Sequence, residues 1–121
     1  SVDLVYSLNH AECFYLPGLE SFAANKLSIT SRYGGQLDYM NDENSFLVDG
    51  NVVNAPLDGQ YWDASLKAKW FDPDLNKATE MLREIYKNHE YYINKFKPNM
   101  EKMVEKYSWT NAANQILSLI K

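Results

Sequence analysis

Apolar residues crowd the opening run "VDLVYSL" with no clean polar alternation, the pattern of a strand covered on both faces. This predicts a central parallel strand. After the turn "NHAECFY", Pro17 stands where a helix can open, because its fixed φ suits the first helical position and the N–H it lacks would go unpaired there. Leu19, Phe22 and Ala23 form a short apolar stripe, so a helix is expected over 17–24, closed by Asn25 in the left-handed conformation that asparagine tolerates. A strand, "LSITS", follows. The segment "RYGGQLDYMN" supplies a tight glycine passage and one helical turn, and "SFLVDG" a further short strand. Strand, helix, strand, short helix, strand is the order of a parallel α/β sheet.

Beyond Asp49 the pattern changes. Residues 50–72 show no sustained period but carry Gly50, Pro56, Gly59, Trp62 and Trp70, and are expected to form an ordered loop. Asp72 is placed to cap a helix with Pro73 at its first position, and Leu75, Ala78, Thr79, Leu82, Ile85 and Tyr86 recur at helical spacing. A second stripe, Ile93, Phe96, Met100, Met103, Val104 and Tyr107, runs through Pro98, where a kink is expected. Ser108 caps a last helix whose inner face would be Ala112, Ala113, Ile116, Leu117 and Ile120. The chain therefore divides into a strand/helix segment (1–49), a loop insertion (50–72) and C-terminal helices (73–121).

Composition narrows the partners. The 121 residues are 45% hydrophobic and include three Trp and nine Tyr, enough for one packed core. A formal charge of −4 removes any general electrostatic case for nucleic acid or an anionic membrane surface. No apolar run approaches the ~20 residues of a membrane helix, and the opening residues do not read as a basic region followed by an apolar signal stretch. The lone Cys13 cannot form an internal disulfide, no Cys/His spacing suits a metal, and a cytoplasmic setting is expected. The lysines from 87 to 106 alternate with glutamates, usually a solvated helix face and only rarely a peripheral membrane patch.

Two carboxylates, Glu12 and Glu20, flank Pro17-Gly18 with seven residues between them. In a parallel α/β sheet, ligands lie beyond the carboxyl ends of the strands, where loops lead into helix N-termini. Free N–H groups of a helix start attract phosphate, and nearby carboxylates accept hydrogen bonds from hydroxyls. Phosphate plus hydroxyls describes a nucleotide sugar. On spacing alone, a solvated loop acid and a solvated helix-face acid are the more frequent explanation.

The run "SLNHAECFYLPGLESFAANKLSITSRYGGQLDYMNDENSFLVDG" resembles the C-terminal domain of retaining glycosyltransferases of family 4 (group 1). That family carries Glu-x7-Glu, an EGFG-like start leading into a Leu-Pro-x-Leu-Glu helix, a Gly-Gly turn and a short apolar strand. "KWFDPDLNKATEMLREIY" and "YSW" resemble its approach to the helical tail, so the similarity covers nearly the whole chain. The resemblance implies a partial Rossmann-like parallel sheet, the C-terminal half of a GT-B donor domain, followed by a helical tail. A missing N-terminal domain would bind a saccharide or lipid-linked acceptor.

By the same resemblance, Glu12 would meet the donor sugar at the reacting centre and Glu20 would hold ribose hydroxyls. The backbone around Cys13, Phe14, Tyr15 and Leu16 would approach the sugar and diphosphate. No metal or other cofactor is implied, since helix termini and basic side chains usually meet the diphosphate charge. His10 stands where many relatives have a basic residue and could contact a phosphate or acceptor; an ordinary structural hydrogen bond explains it equally well. Gly34 and Gly35 read as turn-makers beside the cleft. Cys13 and Tyr15 replace two family glycines, which adds side chains where backbone usually approaches ligand. Trp62, Trp70 and Phe71 could wall a sugar site, although packing under a loop is the commoner role.

The leading expectation is thus a hexosyltransferase, with a catalytically silent nucleotide-sugar-binding or scaffolding module of the same fold as its alternative. A helical interaction subunit centred on 73–121 would leave the opening motif unexplained. Lacking neighbouring strands, the "VDLVYSL" edge is expected to associate, for instance as an edge-strand dimer.

Overall fold

The computed structural model describes residues 2–56 and 67–120. Three parallel strands form the main sheet in the order β1 (Leu4–Ser7), β2 (Leu27–Ser31), β3 (Phe46–Val48), with Leu4 opposite Leu27 and Ile29 opposite Phe46. Helix α1 (Leu16–Ala23) connects the first pair, and a 3-10 turn at Gly35–Asp38 precedes β3. The mixed α/β architecture with a parallel sheet agrees with the expectation. Asn25 closes α1 at φ 52, the left-handed position its side chain tolerates.

The centre of the sheet is β2, all five of whose residues are buried. β1 was expected to be central; among the described residues it pairs on one side only, and Tyr6 is 49% exposed. Leu4 and Val5, which point to opposite faces of the strand, both pack against the core, so β1 is an edge strand by its pairing while its apolar residues meet cover on both faces. Arg32, just past β2, donates from Nε to Asp49 (2.7 Å) and from its terminal nitrogens to Asp42 (2.7 and 3.1 Å). It thereby ties down the segments on both sides of β3. The guanidinium holds the Asp42 carboxyl below its ordinary pKa, chiefly by hydrogen bonding.

The segment 50–72 is not simply a loop. At its ends, β4 (Gly50–Asn54) and β5 (Lys69–Pro73) pair antiparallel, Gly50 opposite Pro73. Gly59 and Trp62 lie outside the described residues. Pro73 ends β5, so the cap of α2 (Leu75–Lys106) is Asp74 and not Asp72. The Asp74 carboxylate accepts from the N–H groups of Asn76 (2.9 Å) and Lys77 (3.1 Å), satisfying two donors that the helix itself cannot pair.

α2 departs from helical dihedrals at Asn88 (φ −126, ψ 30), not at Pro98. Buried anchors explain this: Phe96 and Met100 bracket Pro98 and hold that stretch on the core, while Asn88 is exposed and free to absorb the change of direction. Ala78 and Ile85 anchor the first half, whereas Leu75 and Tyr86, counted in the same stripe, are exposed. Ser108 caps α3 (Trp109–Ile120) as expected, its hydroxyl accepting from Asn111 N–H (3.1 Å). Of the expected inner face of α3, Ala112 is half-buried and the rest is exposed among the described residues. Ile116, Leu117 and Ile120 are exposed and Trp109 is 92% exposed, while within the helix Asn111 and Ala112 are half-buried.

The two candidate caps can be separated by mutation. Asp74→Ala should lower the unfolding free energy by about 1 kcal/mol, and Asp72→Ala, an exposed strand residue, by less than about 0.5 kcal/mol. Chemical denaturation of both variants checks this, and equal losses would contradict the assignment of the cap.

Candidate functional site

The loops that follow β1 and β2 emerge at the same carboxyl edge of the sheet, since the two strands are parallel neighbours. Ser31 Oγ donates to the Asn9 carbonyl (2.6 Å) and links them. Gln36, fully buried, adds bonds from Nε2 to Asn9 Oδ1 (3.2 Å) and to the Ser31 carbonyl (3.1 Å). The tightest contact is between backbones. Gly35 N–H donates to the Glu12 carbonyl (3.1 Å), and a Cβ on Gly35 would overlap the Cys13 carbonyl oxygen. Gly34, at φ 104, makes the preceding bend. These glycines are thus more than turn-makers: only bare backbone lets the two loops close on each other.

Glu12 is exposed, and its Oε1 accepts from the N–H of Cys13 (2.9 Å). Cys13 is exposed as well. Phe14 is half-buried, tilted against Tyr39 (5.2 Å between centroids) and edge-on to Tyr107 (5.7 Å).

Tyr15 turns the other way. Its backbone is left-handed (φ 65, ψ 62) and its side chain, 5% exposed, belongs to the core beneath α1. Its carbonyl accepts from the buried hydroxyl of Tyr39. Burial raises the pKa of the Tyr15 phenol; the Ser7 and Ser28 hydroxyls offset part of that rise, although neither meets it in hydrogen-bond geometry. The expectation that Tyr15 adds a side chain to the ligand cradle is therefore corrected. A left-handed residue carries its Cβ to the opposite side from an ordinary one, and this sends the ring into the core.

Leu16 and Glu20 are exposed on α1 and line a groove of about 600 Å³ against Val104, Tyr107 and Trp109, with Phe14 in its wall. Among the described residues, Glu20 is the one charged residue lining it. The structure thus groups Glu12, Cys13, Gly34 and Gly35 at the loop contact, and Phe14, Leu16 and Glu20 along the groove.

His10 belongs to a third group. Its Nδ1 lies 2.7 Å from the Phe71 carbonyl, and Phe71 N–H donates to the His10 carbonyl (2.9 Å). The imidazole stacks on Trp70 (4.1 Å, 11°), while Phe71, buried, stacks on Tyr33 (5.1 Å, 2°). Trp70 and Phe71 therefore pack the β4–β5 pair onto the motif loop. Sequence reasoning did not find this docking. Its available signal was the β-branched pair Val52-Val53 and the aromatic pair Trp70-Phe71, too far apart to read as a tight hairpin. No protein-family model, curated protein or solved structure was found to match the chain.

The position of Tyr15 is open to test. Tyr15→Gly relieves the left-handed strain but empties a core site, and should cost about 3 kcal/mol of stability. Tyr15→Phe should change stability by less than about 1 kcal/mol, because the hydroxyl has no partner to lose. Thermal and denaturant unfolding check both, and a stable Tyr15→Gly variant would place the ring outside the core.

Proposed function

We propose that this chain is the donor-binding part of a retaining hexosyltransferase that takes its sugar from a nucleotide diphosphate and delivers it to a saccharide or lipid-linked acceptor. The observation that carries the reading is the backbone of the motif loop. Tyr15 stands where the resembled family has the second glycine of its EGFG-like start, and it holds the left-handed conformation that glycine adopts without strain. A tyrosine kept in that conformation, at a cost of about 1–2 kcal/mol, argues that the loop's path is required even though the residue has changed.

The remaining geometry fits this use. The loop lies at the carboxyl edge of parallel strands and enters α1 through Pro17. Glu12 is exposed there, available to a sugar hydroxyl or to positive charge developing at the anomeric carbon. Glu20, the one charged group among the described residues of a mostly apolar groove, suits a ribose whose base lies there, and about 600 Å³ is within the size of small-ligand sites. In transfer, the acceptor oxygen replaces the diphosphate oxygen at the anomeric carbon on the same face, and the acceptor's proton leaves with the diphosphate. A second reading, a donor-binding module without transfer, is favoured by Cys13, whose side chain stands where the resembled family has bare backbone.

In the full-length chain, Glu12→Gln should lower kcat by about a hundredfold with little change in donor KM. Glu20→Gln should instead raise donor KM about tenfold. Steady-state kinetics with a panel of nucleotide sugars separates the roles. Donor binding without nucleotide release on addition of acceptor would support the second reading, and unchanged kinetics in both variants would overturn the two-acid assignment.

A further inference from the structure

Charge at the motif loop raises a question that the two glutamates do not answer. The first 25 residues contain no Lys or Arg, so His10 is the one side chain in that stretch that can become cationic. Arg32, in the facing loop, is already committed to Asp42 and Asp49. A diphosphate approaching this loop would meet Glu12, and His10 is the one basic side chain that the loop itself supplies.

The setting of His10 is specific. The Phe71 carbonyl can only accept, so the proton on Nδ1 is fixed by that 2.7 Å bond, and the ring plane is fixed by the stack on Trp70. Among the described residues Nε2 has no partner, and His10 is exposed. Such an imidazole is oriented before any ligand arrives, with one nitrogen left over.

We propose that His10, oriented by Phe71 and Trp70 of the β4–β5 pair, binds the diphosphate of a nucleotide sugar through Nε2. The inference rests on the function proposed above. A phosphate oxygen, like a carbonyl, only accepts, so the ring makes both bonds as the imidazolium, donating from Nδ1 to Phe71 and from Nε2 to the phosphate. Phe71 and Trp70 act as positioning residues. The hairpin thereby supplies the geometry for a charge that the loop otherwise lacks.

The test compares nucleoside diphosphates with the matching nucleosides, using uridine, guanosine and adenosine forms, on the full-length chain by calorimetry. His10→Asn keeps a donor close to Nδ1 for the Phe71 carbonyl and removes Nε2. For the base that binds, this variant should lose about tenfold or more in diphosphate affinity and leave nucleoside affinity unchanged. Equal diphosphate affinity in the two proteins overturns the role of His10 and leaves the proposed function standing. If no diphosphate binds the parent protein, the proposed function falls, and this inference with it. Nitrogen-15 NMR of the unmutated histidine gives a readout independent of variant folding: the Nε2 signal should move with the diphosphate and not with the nucleoside, and an unmoved signal overturns the assignment.

Discussion

The candidate site depends on one close approach, that of Gly35 to the backbone of Glu12 and Cys13. Any side chain at position 35 would overlap the Cys13 carbonyl oxygen, so the loop after β1 could not lie against the loop after β2. That contact sets the height at which the motif loop leaves the sheet. The loop seated there carries exposed Glu12 and enters α1 through Pro17, ahead of exposed Glu20. Buried Gln36 reinforces the same junction from below by bonding to both loops.

Tyr15 is the second constraint and works in the opposite sense. Gly35 succeeds by having no side chain; Tyr15 pays the strain of a left-handed backbone and recovers it by burying its ring under α1. The Tyr39 hydroxyl then holds the Tyr15 carbonyl, and Tyr39 itself packs on Phe14, Phe22 and Tyr107. A run of aromatic contacts thus joins the motif loop to the end of α2. Among the described residues the motif loop takes part in no ion pair, so its rigidity comes from this packing.

Local pattern made part of this legible. β2 matches "LSITS" residue for residue, α1 is within one position of its expected limits, and Asn25 and Ser108 end and begin helices as their chemistry suggests. What failed depends on long-range partners. The pairing of Gly50 with Pro73 spans a stretch with no periodicity, so both strands were hidden. Pro98 signals a kink, but the buried neighbours Phe96 and Met100 decide where the helix bends. The side of the loop to which Tyr15 points follows from the sign of one dihedral, which residue type alone does not reveal. For α3, periodicity identified an apolar face correctly and could not say whether anything covers it. At the site, the positions of the two acids and of the glycine pair were readable, whereas the docking of Phe71 on His10 was not.

The central claim is that the loop between β1 and α1, seated on Gly35, receives a nucleotide diphosphate. The most direct measurement is residue-resolved backbone NMR of the labelled full-length chain during titration with nucleoside diphosphates. The account predicts that amide shifts concentrate at residues 10–20 and 34–36, with smaller changes along the groove near Tyr107. Saturable shifts confined to other parts of the chain, such as the exposed face of α3 or the β1 edge, would contradict it.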